Sequence, residues 1–273
     1  MNDINFENEK IIIKNVSCFS LNQTLDCGQA FRWKEKENGH WYGFAYDKYA
    51  EIYIENGNIV IEHSKEKDIP FWADYFDLKR DYEKIIESFK ENEKLFSAAT
   101  FGSGIRILNQ NSWEALCSFI ISQNNNIPRI KGIIERLCEN FGTRQQKGFT
   151  FPTAQVLAKV SVDDLAVIRS GFRAKYIIDA AQKVASGEID LEKLKDMDYE
   201  SATKVLLTIK GVGPKVSDCA MLYGLSHTEA FPKDVWIKRA LNEYFNGEMP
   251  KCAQNHAGIA QQYIFYYIRE NNN

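Results

Sequence analysis

The densest chemistry in this 273-residue sequence lies in the run Gly211-Val212-Gly213-Pro214-Lys215. Two glycines one residue apart let a backbone turn present successive amide N–H groups, and such amides at a helix start hold phosphate oxygens. Pro214 opens a helix at the position where a missing N–H costs nothing. Lys215 then falls in that helix's first turn. The positive end of the helix dipole disfavours an ammonium there, and the neutral amine is the form that attacks carbon. Asp234 follows downstream, in the segment FPKDVWIKRAL. The same residues also fit a plainer arrangement. In it, a glycine-capped turn joins two packed helices and Lys215 is one more cation for phosphate.

These residues need helices around them. Residues 199–225 read as helix, tight turn and helix, with apolar residues at three- and four-residue steps. The same period runs through DYEKIIESFKENEKLFSAA, WEALCSFIIS, IPRIKGIIERLCENF and KYIIDAAQKVAS. Between residues 11 and 63 the signals are those of strands. FRWKE, WYGFAYDKYAEIYIE and NIVIEHS are rich in aromatic and β-branched residues. Asn38-Gly39 and Asn56-Gly57 divide them, the dipeptide that type I′ hairpin turns favour. The expected fold class is α+β: an N-terminal antiparallel β-sheet domain over 1–98, then a helical domain over 99–273 carrying the helix-hairpin-helix.

Hydrophobic residues at 44% and charged residues at 26% exclude a disordered chain. Net charge is −3, so nucleic-acid binding has to rest on the local field at a docking face. None of the cysteines (Cys18, Cys27, Cys117, Cys138, Cys219, Cys252) forms a C-x-x-C pair, which argues against zinc or an iron–sulfur cluster. Their scatter suits buried thiols in a reducing compartment. No cofactor and no metal are expected. MNDINFENEKIII is polar and acidic before a short apolar run, unlike a signal peptide, and no apolar stretch reaches the length of a membrane span. The expectation is an intracellular protein (cytoplasm or nucleoid in a prokaryote) with no membrane contact.

Six further segments fall in order along the chain. They are C-G-Q-A-F-R-W at 27–33, G-I-R-I-L-N-Q-N at 104–111, S-F-I-I-S-Q-N-N-N-I-P-R-I at 118–130, F-P-T at 151–153, G-F-R-A-K-Y at 171–176 and A-G-I-A-Q-Q-Y-I-F at 257–265. With the hairpin and its lysine, the chain resembles the helix-hairpin-helix DNA glycosylase superfamily, and within it the 8-oxoguanine DNA glycosylase branch. The resemblance implies a bifunctional base excision repair enzyme, a DNA N-glycosylase with abasic-site lyase activity. Lys215 would attack C1′ of the damaged nucleotide, displace the base and form a Schiff base. Asp234 would support the positive charge on the sugar. The carbonyl of Gly28 would accept from N7–H, which 8-oxoguanine has and guanine lacks. Cys219 and Phe265 would sandwich the flipped base while Gln261 reads its Watson–Crick edge. Without the resemblance, Cys219 and Phe265 read as core and Gln261 as surface. Phe172 and Arg173 would fill the space left by extrusion, and Asn124 and Arg129 would touch the estranged cytosine. Asn125 and Asn126 read as structural. Gly211, Val212 and Gly213 would hold phosphate. The implied partner is duplex DNA with 8-oxoguanine opposite cytosine, bound by a monomer.

Some positions depart from the family pattern. Lys210 stands where the hairpin usually has proline, Phe172 where animal members have tyrosine, and Trp236 where a histidine contacts phosphate. Pro128 lies just before Arg129. An alkylpurine glycosylase of the same superfamily would share the sheet and the aspartate but typically lacks the hairpin lysine. A non-catalytic hairpin module that only binds DNA would not need Lys215, Asp234, Cys219, Gln261 and Phe265 together.

Overall fold

The computed structural model describes residues 3–271. Its sheet is antiparallel, built from β1 (Asp3–Glu7), β2 (Lys10–Lys14), β3 (Trp33–Glu35), β4 (Trp41–Ala45), β5 (Lys48–Glu55) and β6 (Asn58–Glu62), in the order β1-β2-β6-β5-β4-β3. Strand β1 extends the sheet upstream of the segment in which strands were expected. It pairs with β2 from Asp3↔Lys14 to Glu7↔Lys10, and its polar sequence reflects an edge position. Asn56 and Gly57 both have positive φ, at 51° and 77°, as a type I′ turn requires. The turn at Asn38-Gly39 is different. Lys36 bonds His40 across a three-residue loop in which Gly39 alone is left-handed.

One face of the sheet is buried through Ile11, Ile13, Trp33, Trp41, Ile52, Ile59 and Ile61. Short helices follow: α1 (Leu21–Leu25, between β2 and β3), α2 (Ile69–Tyr75), α3 (Tyr82–Ser88) and α4 (Glu93–Phe101). Trp72, Tyr75 and Phe76 join the same core. Buried indoles need partners. Trp33 Nε1 donates to Tyr75 Oη at 2.8 Å, and Trp72 Nε1 to Ser64 Oγ at 3.0 Å.

The chain then becomes helical: α5 (Ser112–Ser122), α6 (Ile127–Phe141), α7 (Ala154–Leu157), α8 (Ala174–Ala185), α9 (Leu191–Lys195), α10 (Tyr199–Leu206), α11 (Pro214–Gly224), α12 (Val235–Tyr244) and α13 (Ala257–Asn271). A two-stranded ribbon, β7 (Arg144–Gln145) with β8 (Gly148–Phe149), interrupts the run. Contacts divide the chain into two compact units, Met1–Asn109 with Lys233–Asn273, and Gln110–Pro232. Helices α12 and α13 therefore belong with the sheet. Among the described residues no helix is long and apolar enough to cross a membrane.

Helix α5 is the spine of the second unit, buried from Ser112 to Ile121 on almost every face. It runs antiparallel to α11. At one end a Cβ on Gly224 would meet that of Ala115 at 2.8 Å, so the absence of a side chain permits the close approach. Further along, the rings of Phe119 and Tyr223 stack with centroids 5.1 Å apart. This alignment brings the start of α11 to the end of α5.

Candidate active site

Lys215, half-buried in the first turn of α11, lies at that junction. Its Nζ donates to Ser122 Oγ, the last residue of α5, at 3.1 Å and sits 5.5 Å from the centroid of the Phe119 ring. Two fields of opposite sign therefore meet at Nζ: the positive end of α11 and the negative end of α5. The expectation drawn from the sequence had weighed only the first. Cys219, one turn along α11, is buried at 3% exposure.

The turn before α11 is fastened from below. Val212 and Ile209 are buried, the Lys210 N–H donates to Asp179 Oδ2 at 2.8 Å, and Lys183 Nζ donates to the Thr208 carbonyl at 2.6 Å. The Lys210 N–H is thus an anchor for the turn. Gly211 has φ +79°, and a Cβ there would lie 2.4 Å from the Tyr176 ring. The helix cap, Gly213, makes no side-chain bond, and a Cβ on it would meet nothing within 4 Å. Its N–H has no partner among the described residues. The Gly213 N–H is thus available to an anion.

The three asparagines close one helix and begin the next. Asn125 Nδ2 donates to the Ile121 carbonyl at 3.1 Å, and Asn126 Oδ1 caps α6 by accepting from the Arg129 N–H at 3.0 Å. Both are committed to helix ends. Asn124 is exposed with φ +47°, a left-handed conformation that asparagine tolerates. Arg173 is 2% exposed, and its guanidinium binds the carbonyls of Gln123, Asn124 and Ser170. Burial, helped by the charge on Arg129, lowers its pKa. Phe172 beside it is 49% exposed, lies under the Arg173 guanidinium at 4.4 Å and packs edge-on against Tyr176. Arg129 is exposed, and Pro128 fits within the first turn of α6.

The remaining residues belong to the sheet-bearing unit. Gly28 has φ +88° in the loop after α1. The fully buried Gln29 pins this loop. Its amide donates to the Thr24 and Arg106 carbonyls at 2.9 and 2.8 Å and accepts from the Leu108 N–H at 2.9 Å. Helix α13 holds the other side, with Gln262 on the Cys27 carbonyl at 3.1 Å and Arg269 on that of Asp26 at 2.8 Å. The neighbouring thiol of Cys27 is pushed by burial up to about 12, which makes it inert. Gln261, read from sequence alone as surface, is 4% exposed because α13 is buried over residues 257–264. Among the described residues its Oε1 has no partner. Phe265, one turn on, is half-buried. Asp234 caps α12, accepting from the Ile237 N–H at 2.8 Å. Val235 and Trp236 follow, 72% and 45% exposed, with Arg239 stacked 5.5 Å from the indole. Glu51, Glu62 and His63 form the one acidic group of metal-ligand spacing among the described residues, but Glu51 is paired with Lys36 and His40, and Glu62 with Lys10.

A family model for the 8-oxoguanine DNA glycosylase N-terminal domain matches residues 11–116, and one for the HhH-GPD superfamily base excision DNA repair protein matches residues 117–256. The chain belongs to the HhH-GPD superfamily. A member from Methanothermobacter thermautotrophicus, named a probable N-glycosylase/DNA lyase, is 34% identical over 71% of this chain and 71% of its own length. The N-glycosylase/DNA lyase of Saccharomyces cerevisiae is 32% identical over 82% and 68%. The solved structure of Clostridium acetobutylicum 8-oxoguanine glycosylase/lyase, in complex with duplex DNA containing cytosine opposite 8-oxoguanine, superposes with a TM-score of 0.92. It is 37% identical and covers 100% of this chain and 99% of its own.

Within this HhH-GPD protein, sequence reasoning had passed over Gln29, Gln262, Tyr176 and Ser122. All four lie inside the motif segments, and at the first three a buried amide or ring could have been suspected. Ser122 ends an apolar helix and gave no signal of its own.

Proposed function

We propose that the protein excises 8-oxoguanine from duplex DNA as a bifunctional glycosylase and abasic-site lyase, with Lys215 as nucleophile. The observation that carries this reading is a half-buried lysine whose Nζ is held on Ser122 at the start of an uncapped helix. Relatives bearing the name N-glycosylase/DNA lyase support it.

In the proposed reaction the neutral amine of Lys215 bonds to C1′ as the bond from C1′ to the base breaks, and the base leaves protonated. Loss of the amine proton and opening of the sugar give a Schiff base. Elimination then breaks the bond to the 3′ phosphate, and water frees the enzyme. Asp234 stabilises the positive charge that builds on the sugar. The Gly28 carbonyl accepts from N7–H of the lesion, Gln261 Oε1 accepts from its Watson–Crick N–H, and Cys219 and Phe265 flank the ring. Phe172 and Arg173 serve the vacated stack, Asn124 and Arg129 the opposite cytosine, and the 211–213 turn the phosphate. The protein works as an intracellular monomer without a cofactor. A purely monofunctional alkylpurine activity has no use for Lys215.

Borohydride in the presence of an 8-oxoguanine:cytosine duplex should reduce the Schiff base to a stable protein–DNA adduct. Lys215→Gln should bind the lesion and form none. A variant that still traps as well as wild type would transfer the role to another amine, Lys210 first.

A further inference from the structure

We propose that Ser122 is a positioning residue for the nucleophile: it holds one N–H of Lys215 while leaving the attacking lone pair free. The inference rests on Lys215 being the nucleophile. Ser122 Oγ donates to the Phe119 carbonyl at 2.8 Å and accepts from Lys215 Nζ at 3.1 Å. A serine hydroxyl has a single hydrogen. Because that hydrogen is committed to Phe119, the oxygen presents only lone pairs to the lysine. It can accept an N–H from the ammonium or from the neutral amine, and it cannot donate into the amine lone pair. A donor at this place would occupy the electron pair that must form the bond to C1′. Ser122 is therefore a tether of the one polarity that does not quench the nucleophile.

The surroundings keep the tether in place. The Phe119 ring lies beneath Nζ and is itself stacked on Tyr223. Gly224 locks the far end of the same helix pair against Ser112 and Ala115. The long lysine stem is flexible by nature, so orientation has to come from its end. Small misplacements of a reacting group cost rate heavily.

The test compares Ser122→Thr with Ser122→Val. Threonine keeps an oxygen that can bond the carbonyl three residues back, and valine has nearly the same shape without it. Single-turnover excision should fall about tenfold to a hundredfold in Ser122→Val and stay close to wild type in Ser122→Thr, with unchanged affinity for the lesion duplex. A merely structural role would lower affinity together with rate and would not be rescued by threonine. Equal rates for the two variants, or parallel loss of affinity and rate, would overturn the proposal. If Ser122→Val does not fold, Ser122→Ala, which deletes only the oxygen, carries the same comparison. Borohydride trapping of wild type and Lys215→Gln separates the two claims. Trapping by Lys215→Gln defeats the nucleophile, whereas Lys215-dependent trapping with full activity in Ser122→Val defeats the tether alone.

Discussion

Arg173 donates to the carbonyl of Asn124 across 2.8 Å, so a residue expected to enter DNA is spent, in the free protein, on the backbone of the residue expected to meet the opposite base. The bond is part of a fork. The same guanidinium reaches Gln123 and Ser170, and among the described residues its acceptors are all carbonyls. The left-handed turn at Asn124 is thus held from inside the protein. Through the contacts of Phe172 with Tyr176, and of Tyr176 with Gly211, this turn is continuous with the hairpin before Lys215.

Arg173→Lys should therefore loosen Asn124 rather than simply remove a charge. A lysine ammonium cannot reproduce a planar fork across carbonyls from three residues. Single-turnover rates on 8-oxoguanine opposite cytosine and opposite adenine should converge in the variant. Thermal unfolding should also show a loss of about 1–3 kcal/mol from carbonyls left without a donor. An unchanged ratio of the two rates would mean that the fork does not govern the opposite base.

One substitution separates the helix cap at Asp234 from the catalytic role proposed for it. Its oxygen caps α12, and asparagine caps equally well. Asp234→Asn should keep wild-type stability and lesion affinity while the chemical step slows about a hundredfold or more. Normal single-turnover rates would leave Asp234 as a helix cap and nothing else.

The two hairpin glycines should respond differently to a methyl group. Gly211→Ala forces a side chain into left-handed backbone at about 1–2 kcal/mol and pushes the Tyr176 ring. Its melting temperature should drop. Gly213, with φ −103° and open space around it, should accept alanine with little effect on stability. Binding of Gly213→Ala to undamaged duplex should nevertheless weaken, because the methyl occupies the approach to the α11 amides. Wild-type affinity at both low and high salt would place the phosphate elsewhere.

Much of this architecture was legible in the sequence because its signals are local. Strand alternation, the helix-hairpin-helix and the capping asparagines all lie within a few residues of what they determine. The failures are equally physical. The polar edge strand β1 has no buried face to give it a period. Gln261 read as surface because a helix buried on all sides carries no amphipathic stripe. The Lys215–Ser122 bond joins residues 93 positions apart, and only the antiparallel packing of α5 on α11 brings them together.

Discrimination of the lesion should rest on the Gly28 carbonyl. Gln262 and Arg269 occupy the neighbouring carbonyls of Cys27 and Asp26, while that of Gly28 has no partner among the described residues. Gln29 fixes the loop through bonds to both sides, so this acceptor cannot relax away from a mismatched base. 8-Oxoguanine meets it with N7–H, and guanine meets it with a lone pair. An unpartnered buried group costs about 1–3 kcal/mol, and two opposed acceptors cost more, which is enough for a tenfold or greater preference. Side-chain mutation cannot remove a backbone carbonyl, so the substrate has to change. 8-Oxo-7-deazaguanine keeps the C8 oxygen but has carbon at position 7 and offers no N–H. In the Lys215→Gln background, where chemistry does not intrude, it should bind at least about tenfold more weakly than the true lesion. Equal affinity would show that the C8 oxygen or the weakness of the base pair is sensed instead, and Gly28 would be a turn residue only.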